Sequence, residues 1–180
     1  MKTLAKWSID EFHRMIEAGV LRDRSVELLA GEIVEMSPEA PIHYSTAKRG
    51  AKYLEQVLES RAEVRFNGPI TLADSEPEPD IAIVHLPEER YCDRHPNVQD
   101  IYLLVEVAKT SLKKDTELKA EIYATAGIQE YWVLTLAARQ MIVFRDPQNG
   151  GYQTEQILRT STIAPLAFPD LAISVDRLLS

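Results

Sequence analysis

The sequence predicts a mixed α/β fold in which helices flank one central sheet, giving three layers. The main observation is a strand, a helix and a strand over residues 101–107, 115–126 and 131–136, an order typical of a crossover between parallel strands. Pairs of short apolar segments joined by turn residues add antiparallel hairpins. With 180 residues, 45% of them hydrophobic and 27% charged, the chain has the size and composition of a single globular domain, residues 1–180.

The first third of the chain predicts two helices and a hairpin. A short helix is expected over residues 9–18, because Ser8 and Glu11 have the spacing of a capping box. The segment VELLAGEIVEM, residues 26–36, predicts a hairpin that turns at its Ala-Gly pair. An apolar stripe at helical spacing then predicts an amphipathic helix over residues 44–59.

The middle of the chain predicts three short strands. Two of them, residues 63–66 and 69–73, are separated by an Asn-Gly pair that favours a tight turn. A third strand is expected over residues 80–85, after prolines that keep its approach extended. Residues 86–100 form a polar connection to the strand at 101–107, whose apolar run indicates a buried central position.

The last third predicts a hairpin and a short tail. Strands are expected at residues 141–145 and 152–157, turned at the segment PQNGG. The tail contains the apolar segment LAISV and a final short DRLL segment. The sequence shows no internal repeat and no linker.

Composition and charge narrow the class of protein. The N-terminal segment lacks the continuous apolar run of a signal peptide, and no stretch approaches the roughly 20 apolar residues that cross a bilayer. We therefore expect a cytoplasmic protein without a membrane partner, in which the lone Cys92 is a bystander. A net charge of −8 argues against a general nucleic-acid coat. Four lysines nevertheless cluster within residues 109–119, and charge pattern alone would make them a solvated helix start.

Glu106 is unusual because it lies near the end of the apolar strand at 101–107. A buried carboxylate is costly unless it is paired, hydrogen-bonded or bound to a metal. One interpretation is an ordinary salt bridge to Lys109 or Lys113 at the frayed end of the strand. The other is a functional site.

Asp80 favours the second interpretation. By itself an aspartate after proline is also a common way to leave a loop. However, Asp80 begins one strand and Glu106 lies near the end of another, so antiparallel strands would bring the two carboxylates to one rim of the sheet. Two such carboxylates without a Cys or His cluster favour Mg²⁺ or Mn²⁺ over zinc.

Lys119 adds a cation to this pair. It lies in the first turns of the predicted helix, and its flexible stem can bring the ammonium group back to the same rim. A metal ion, two carboxylates and a lysine suit phosphodiester hydrolysis, in which the metal lowers the pKa of bound water and cations stabilise the charge on phosphorus. The three residues therefore predict a nuclease site.

The same motifs resemble a known family. PD at 79–80, EVA at 106–108, and the segments TSLKKDTELK and YATAGIQEYWVL resemble the restriction-endonuclease-like superfamily, whose motif is written PD-(D/E)XK. Within it, the chain is similar to the bacterial restriction endonucleases called Uma-two, from VELLAGEIVEMSP through EYWVL. The resemblance implies a restriction-endonuclease-like core with metal ligands at Asp80 and Glu106.

One position departs from the superfamily pattern. The catalytic lysine of the superfamily lies two residues after the second acid, and that position here is Ala108. Uma-type members resemble a variant in which the lysine has moved into the following helix, in a DxxxK motif matched by Asp115 and Lys119. The resemblance therefore implies that Lys119 orients the attacking water or helps to deprotonate it.

The resemblance also implies further site residues. The backbone carbonyl of Val107 would be a metal ligand. Asp115 would cap the helix or, alternatively, contact Lys119. Glu27 and His43 match polar family positions and would complete a metal or water network, or else be a solvated strand carboxylate and a helix-start imidazole.

These residues are compatible with three functions to different degrees. The first is a Mg²⁺- or Mn²⁺-dependent endonuclease that cuts DNA, with a homodimer placing two lysine-rich loops along one duplex. The second is a catalytically inactive nuclease-fold module that binds nucleic acid or a protein, as Ala108 and the acidic net charge would suggest. The third, a glycosidase with paired carboxylates, gives Lys119 no role.

Overall fold

Two helices and a hairpin come first in this computed structural model, which describes residues 4–180. They are α1 (Ile9–Glu17), β1 (Val26–Leu29), β2 (Glu32–Glu35) and α2 (Pro41–Leu58). The capping box forms as predicted: Ser8 Oγ accepts from the Glu11 N–H at 3.3 Å, and the Glu11 carboxylate accepts from the Ser8 N–H at 2.9 Å. Helix α2 begins earlier than predicted because Pro41 occupies its first turn, where a missing N–H costs nothing.

The main sheet has six strands that follow one another in space as they do in sequence. They are β3 (Glu63–Phe66), β4 (Ile81–Val84), β5 (Ile101–Ala108), β6 (Glu130–Thr135), β7 (Gln140–Gln148) and β8 (Gly151–Leu158). Strands β5 and β6 are parallel and all other neighbours are antiparallel. The predicted mixed sheet, its parallel pair and its C-terminal hairpin are therefore confirmed.

Two apolar clusters cover the two faces of this sheet. Helix α2 packs on the face that carries Leu103, Val105 and Val107. The helix α3 (Ala120–Ala126) packs on the opposite face, which carries Leu104 and Ala108. Because side chains alternate along a strand, Glu106 points to the α3 face. The predicted three layers are present, and the middle one positions Glu106.

The prediction of a strand at residues 69–73 is wrong. Strand β4 takes the place beside β3, with Phe66 opposite Ile81, so the segment between them has no ladder to join. Its amides bond to loops instead: the Ile70 N–H donates to the Pro77 carbonyl and the Leu72 N–H to the Ser75 carbonyl. The predicted Asn-Gly hairpin is a longer excursion, closed at its base by the Asn67 N–H and the Asp80 carbonyl at 3.0 Å.

The helix start predicted at residue 115 is also wrong. Helical structure begins at residue 112, and residues Lys114–Lys119 form a π-helical turn before α3. In such a turn the amide bonds to the carbonyl five residues back, and the Ala120 N–H donates to the Asp115 carbonyl. Wide turns of this kind occur frequently at functional sites.

The C-terminal segment closes the α2 face of the sheet. It contains β9 (Thr162–Ile163), β10 (Ile173–Ser174) and α4 (Val175–Leu178). Ile173, Val175 and Leu178 are fully buried in the cluster beneath α2. Of the helices described for residues 4–180, none has the length and apolar character needed to span a membrane.

Candidate active site

Asp80 and Glu106 lie beside each other at one rim of the sheet. Strands β4 and β5 are antiparallel with Ile81 opposite Val105, so the next positions outward are Asp80 and Glu106. The Val107 N–H donates to Asp80 Oδ2 at 2.6 Å. Asp80 is 6% exposed and Glu106 4% exposed. The structure therefore brings together the two acids that the sequence singled out, in a setting where their charge needs compensation.

Lys119 supplies part of that compensation. Its Nζ lies 2.7 Å from Glu106 Oε1 and 2.9 Å from Glu27 Oε1, and the residue is 4% exposed. Burial opposes the charge on Lys119, but the two carboxylates outweigh that effect and raise its pKa. Burial raises the pKa of Glu106, and Lys119 opposes the rise. Glu106 thus contacts neither Lys109 nor Lys113, its simplest predicted partners, but a lysine from the next helix.

The small side chain of Ala108 leaves space beside Glu106 for the side chain of Lys119. Ala108 lies on the same face of β5 as Glu106 and is buried under α3. The π-helical turn lies over that face and points Lys119 back towards Glu106. A lysine from the helix therefore occupies the space that a lysine at position 108 would use.

Glu27 is the centre of a second set of contacts. It is 1% exposed, so the alternative of a solvated strand carboxylate is wrong. Its Oε2 accepts from Lys114 Nζ at 2.5 Å and its Oε1 accepts from the Glu78 N–H at 3.0 Å. Burial works to raise the pKa of Glu27, yet Lys119 and Lys114 hold it below its usual value. Glu27 therefore anchors the two lysines.

Asp115 does not cap a helix, as one prediction had it, because it lies inside the π-helical turn. Its Oδ2 accepts from the Ser111 hydroxyl at 2.5 Å, and its backbone carbonyl accepts from the Tyr131 hydroxyl at 3.0 Å. Burial raises the pKa of the Asp115 carboxyl. Both contacts hold the wide turn in place, and with it the stem of Lys119.

Tyr123 and Lys114 each contact a buried carboxylate of the cleft, and the sequence did not predict either contact. Tyr123 is fully buried, and its hydroxyl donates to Glu106 Oε1 at 3.0 Å. A buried tyrosine hydroxyl generally has a polar partner, so its position one helical turn after Lys119 was the available signal. Lys114 was predicted to be a surface or phosphate-contacting cation. Its contact with the buried Glu27 had no signal in the sequence.

His43 lies on the other side of Asp80, in the first turn of α2. Its Nε2 is 3.3 Å from Asp80 Oδ2, and its Nδ1 is 3.6 Å from Glu39 Oε2. Hydrogen bonding to Asp80 raises the pKa of His43 to about 9, against the opposing effect of burial. The predicted helix-start position is correct, and it places the imidazole against a site carboxylate.

These side chains line one cleft of about 460 Å³. Seven carboxylates face it against three lysines, Lys109, Lys114 and Lys119. Such an oxygen-rich set with excess negative charge fits a hard divalent cation. The buried carboxylates Asp80 and Glu106 are the members of that set that the sheet register holds together.

Comparison with known proteins identifies the family. A search of the curated proteins found no match. Among solved structures, the chain is similar to a crystal structure titled as a putative nuclease belonging to DUF820 from Anabaena variabilis, with a TM-score of 0.69, 16% identity and coverage of 96% of this chain and 97% of that one. That likeness shows a shared fold. The Uma2 family, described as "Putative restriction endonuclease", matches residues 9–176. The chain, with its mixed sheet and its acidic cleft, therefore belongs to the Uma2 family.

Proposed function

We propose that this protein is a metal-dependent endonuclease that hydrolyses phosphodiester bonds of DNA. The observation that carries the proposal is the arrangement at the rim of β4 and β5, where two buried carboxylates lie together and Lys119 Nζ is 2.7 Å from one of them. Membership of the Uma2 family supports a nuclease function. The dependence on a metal ion and the choice of DNA as substrate are proposals that go beyond family membership.

Asp80, Glu106 and the backbone carbonyl of Val107 would hold the ion, Mg²⁺ or Mn²⁺. When bound, such an ion lowers the pKa of a water ligand and stabilises charge on a transferring phosphoryl group. The Val107 N–H already fixes the Asp80 carboxylate at 2.6 Å. Lys119 and Tyr123 both donate to Oε1 of Glu106, which leaves the second oxygen for the ion.

Lys119 would orient the attacking water and stabilise negative charge on the phosphate. The carboxylates around it raise its pKa, so it carries its proton at neutral pH and acts as a cation. Glu27 restrains it at 2.9 Å. A fixed cation of this kind costs little reorganisation when charge develops in the transition state.

DNA is the substrate that we propose for the cleft. Lys109 lies at the cleft and is exposed, as is Lys113 in the following turn, so both are free to contact phosphates. A homodimer would place two such loops along one duplex and so form a local basic surface, although each chain has a net charge of −8. Binding through these lysines should weaken steeply as salt is raised.

Conservative substitutions of the two acids test the proposal. Asp80→Asn and Glu106→Gln keep the volume of each side chain but remove a charged metal ligand. We expect each to reduce Mg²⁺- or Mn²⁺-dependent DNA cleavage by about 10²-fold or more, and a chelator to abolish cleavage. The measurement is the rate of cleavage of supercoiled and linear DNA by purified protein.

Glu35→Gln is the matched control for this test. Glu35 also lines the cleft, but it pairs with Arg24 at the surface, so cleavage should be unchanged. Undiminished activity in both site variants would reject the site. A folded wild-type protein that binds DNA without cutting it would instead be the inactive binding module.

Tyr123→Phe should have a smaller effect. It removes only the hydroxyl that donates to Glu106 Oε1 at 3.0 Å. Loss of a partner that orients a metal ligand typically costs about 10-fold in metal affinity or activity. We expect a loss of that size in cleavage with little change in thermal stability. Tyr91→Phe, whose hydroxyl donates to the His85 carbonyl outside the cleft, is the control and should cleave normally.

A further inference from the structure

We infer that the cleft has a second divalent-cation position, formed by Glu39, His43 and Asp80, that prefers Mn²⁺ to Mg²⁺. The inference rests on the proposed metal-dependent function. It adds an ion on the α2 side of Asp80, away from Glu106 and Lys119. Asp80 would be shared by the two ions.

The ligand atoms are the first observation. Glu39, His43 and Asp80 each offer one oxygen or nitrogen, and the three atoms lie within 4.8 Å of one another. Two ligands at about 2.1 Å from one ion are at most about 4.2 Å apart, so a small movement would close the set. Glu39 is exposed and precedes α2, and its contacts to Asn67 Nδ2 and His43 Nδ1 are long, at 3.5 and 3.6 Å, so its side chain can make that movement.

Two unpaired polar atoms are the second observation. Within residues 4–180, His43 Nδ1 and Asn67 Oδ1 are buried without a hydrogen-bond partner. Both residues line the cleft, and Asn67 Nδ2 donates to Glu39 Oε1 at 3.5 Å. Buried polar atoms are nearly always satisfied, so an unpaired nitrogen and an unpaired oxygen beside one carboxylate indicate a bound ion or water.

Charge is the third observation. The cleft presents seven carboxylates against three lysines, and one of the seven, Glu35, is already paired with Arg24 at the surface. This leaves a formal excess of three negative charges when His43 is a neutral ligand. A single divalent cation would leave the cleft negative and repel a phosphodiester. Two divalent cations would more than offset that excess, which suits a site that clamps the attacking and leaving oxygens of one phosphate.

The donor atoms determine the preference for Mn²⁺. Mg²⁺ takes oxygen ligands almost exclusively, whereas imidazole nitrogen suits first-row transition metals. The position beside Glu106 offers only oxygens. The His43 nitrogen therefore distinguishes the second position chemically from the first.

Manganese titration of the full chain tests the inference without using activity. Calorimetry should show two Mn²⁺ ions bound per wild-type chain. It should show only one ion per chain in each of the variants Glu39→Ala and Glu106→Gln. Electron spin-echo spectra of the bound Mn²⁺ should show coupling to an imidazole nitrogen in the wild type. This coupling should persist in Glu106→Gln and disappear in His43→Ala. Glu35→Ala removes a carboxylate from the same cleft and should still bind two ions with nitrogen coupling.

The outcomes separate this inference from the proposed function. One bound ion without nitrogen coupling, lost in Glu106→Gln, would overturn the second position and leave the first intact. Two ions in Glu39→Ala with unchanged coupling would also overturn it. A third outcome is nitrogen coupling in the wild type together with an unchanged number of bound ions in Glu106→Gln. That outcome would support the second position and reject the first. Glu39 is at the surface, so its variant remains informative even if His43→Ala fails to fold.

Discussion

Lys119→Ala should reduce DNA cleavage by about 10²- to 10³-fold, the usual loss when a fixed group that stabilises transition-state charge is removed. Adding Ala108→Lys should restore part of that activity. Ala108 lies on the same face of β5 as Glu106, and removal of the Lys119 side chain vacates the space next to it. The measurement is the cleavage rate of the single and double variants under identical Mg²⁺ or Mn²⁺ concentrations.

Stability must be measured alongside activity, because Lys119 is buried between two carboxylates. Removing one partner of a buried ion pair usually costs about 3–5 kcal/mol. We expect a smaller loss, because Glu27 keeps Lys114 and the buried Glu106, whose pKa burial raises, can take up a proton. Ala108→Lys alone is the control for crowding at this position. A double variant that folds but cleaves no faster than Lys119→Ala would contradict our account of the moved lysine.

Glu130→Gln should destabilise the protein by about 3–5 kcal/mol, the largest stability effect that we expect from a single atom change. Glu130 is fully buried, and its Oε1 accepts from Trp132 Nε1 at 3.0 Å and from Arg145 Nε at 2.8 Å. Its Oε2 accepts from the Leu166 N–H at 2.7 Å. An amide offers one oxygen to these donors and leaves the Arg145 charge uncompensated. Thermal unfolding should show a decrease of roughly 10 °C in Tm.

Asp170→Asn provides the matched control, since it is the same acid-to-amide change in another Arg pair. Asp170 accepts from Arg61 at 2.7 Å, but the two side chains are 64% and 40% exposed. Solvent screens exposed pairs, which therefore contribute little to stability, so Tm should change little. Equal losses in the two variants would contradict a special role for the buried Glu130.

Elements with a strong local pattern were predictable from the sequence. Helix α1 was found through its capping box, and the parallel pair β5 and β6 through the helix between them. The segment at residues 69–73 has the same local character as a strand. The prediction of a strand there failed because β3 pairs with β4. The choice of a strand's partner depends on contacts between distant segments, which a local pattern does not contain.

The site was predictable in part, for a similar reason. Asp80, Glu106 and Lys119 were found because their residue types and order match a family motif, and the antiparallel register places the two acids together. Glu27 was predicted to complete the site in one of two alternatives, but its pairing with Lys114 was missed because it depends on how the β1–β2 hairpin docks on the cleft. Glu130 lies outside the strand predicted to begin at residue 131, and the sequence gave no hint of its bonds to Trp132, Arg145 and Leu166.

The π-helical turn changes which side chains share a face of the helix. Each residue of an α-helix advances by about 100°, and a turn with one extra residue shifts every following side chain by that amount. An apolar pattern that assumes one continuous helix over residues 115–126 therefore mixes two phases. Leu118 is 39% exposed while the neighbouring Lys119 is buried, the reverse of what hydrophobicity alone would suggest.

The hydrogen bond between Lys114 and Glu27 joins residues 87 positions apart, which has a consequence for when the cleft forms during synthesis. Contacts between such distant residues form late, because a long loop must close first. A chain still being synthesised carries Asp80 before it carries Glu106 or Lys119. The cleft therefore acquires its complete set of charges only after Lys119 has been synthesised and its helical turn has packed on the sheet. Under the proposed function, a chain that has not yet reached Lys119 would be unable to cut DNA.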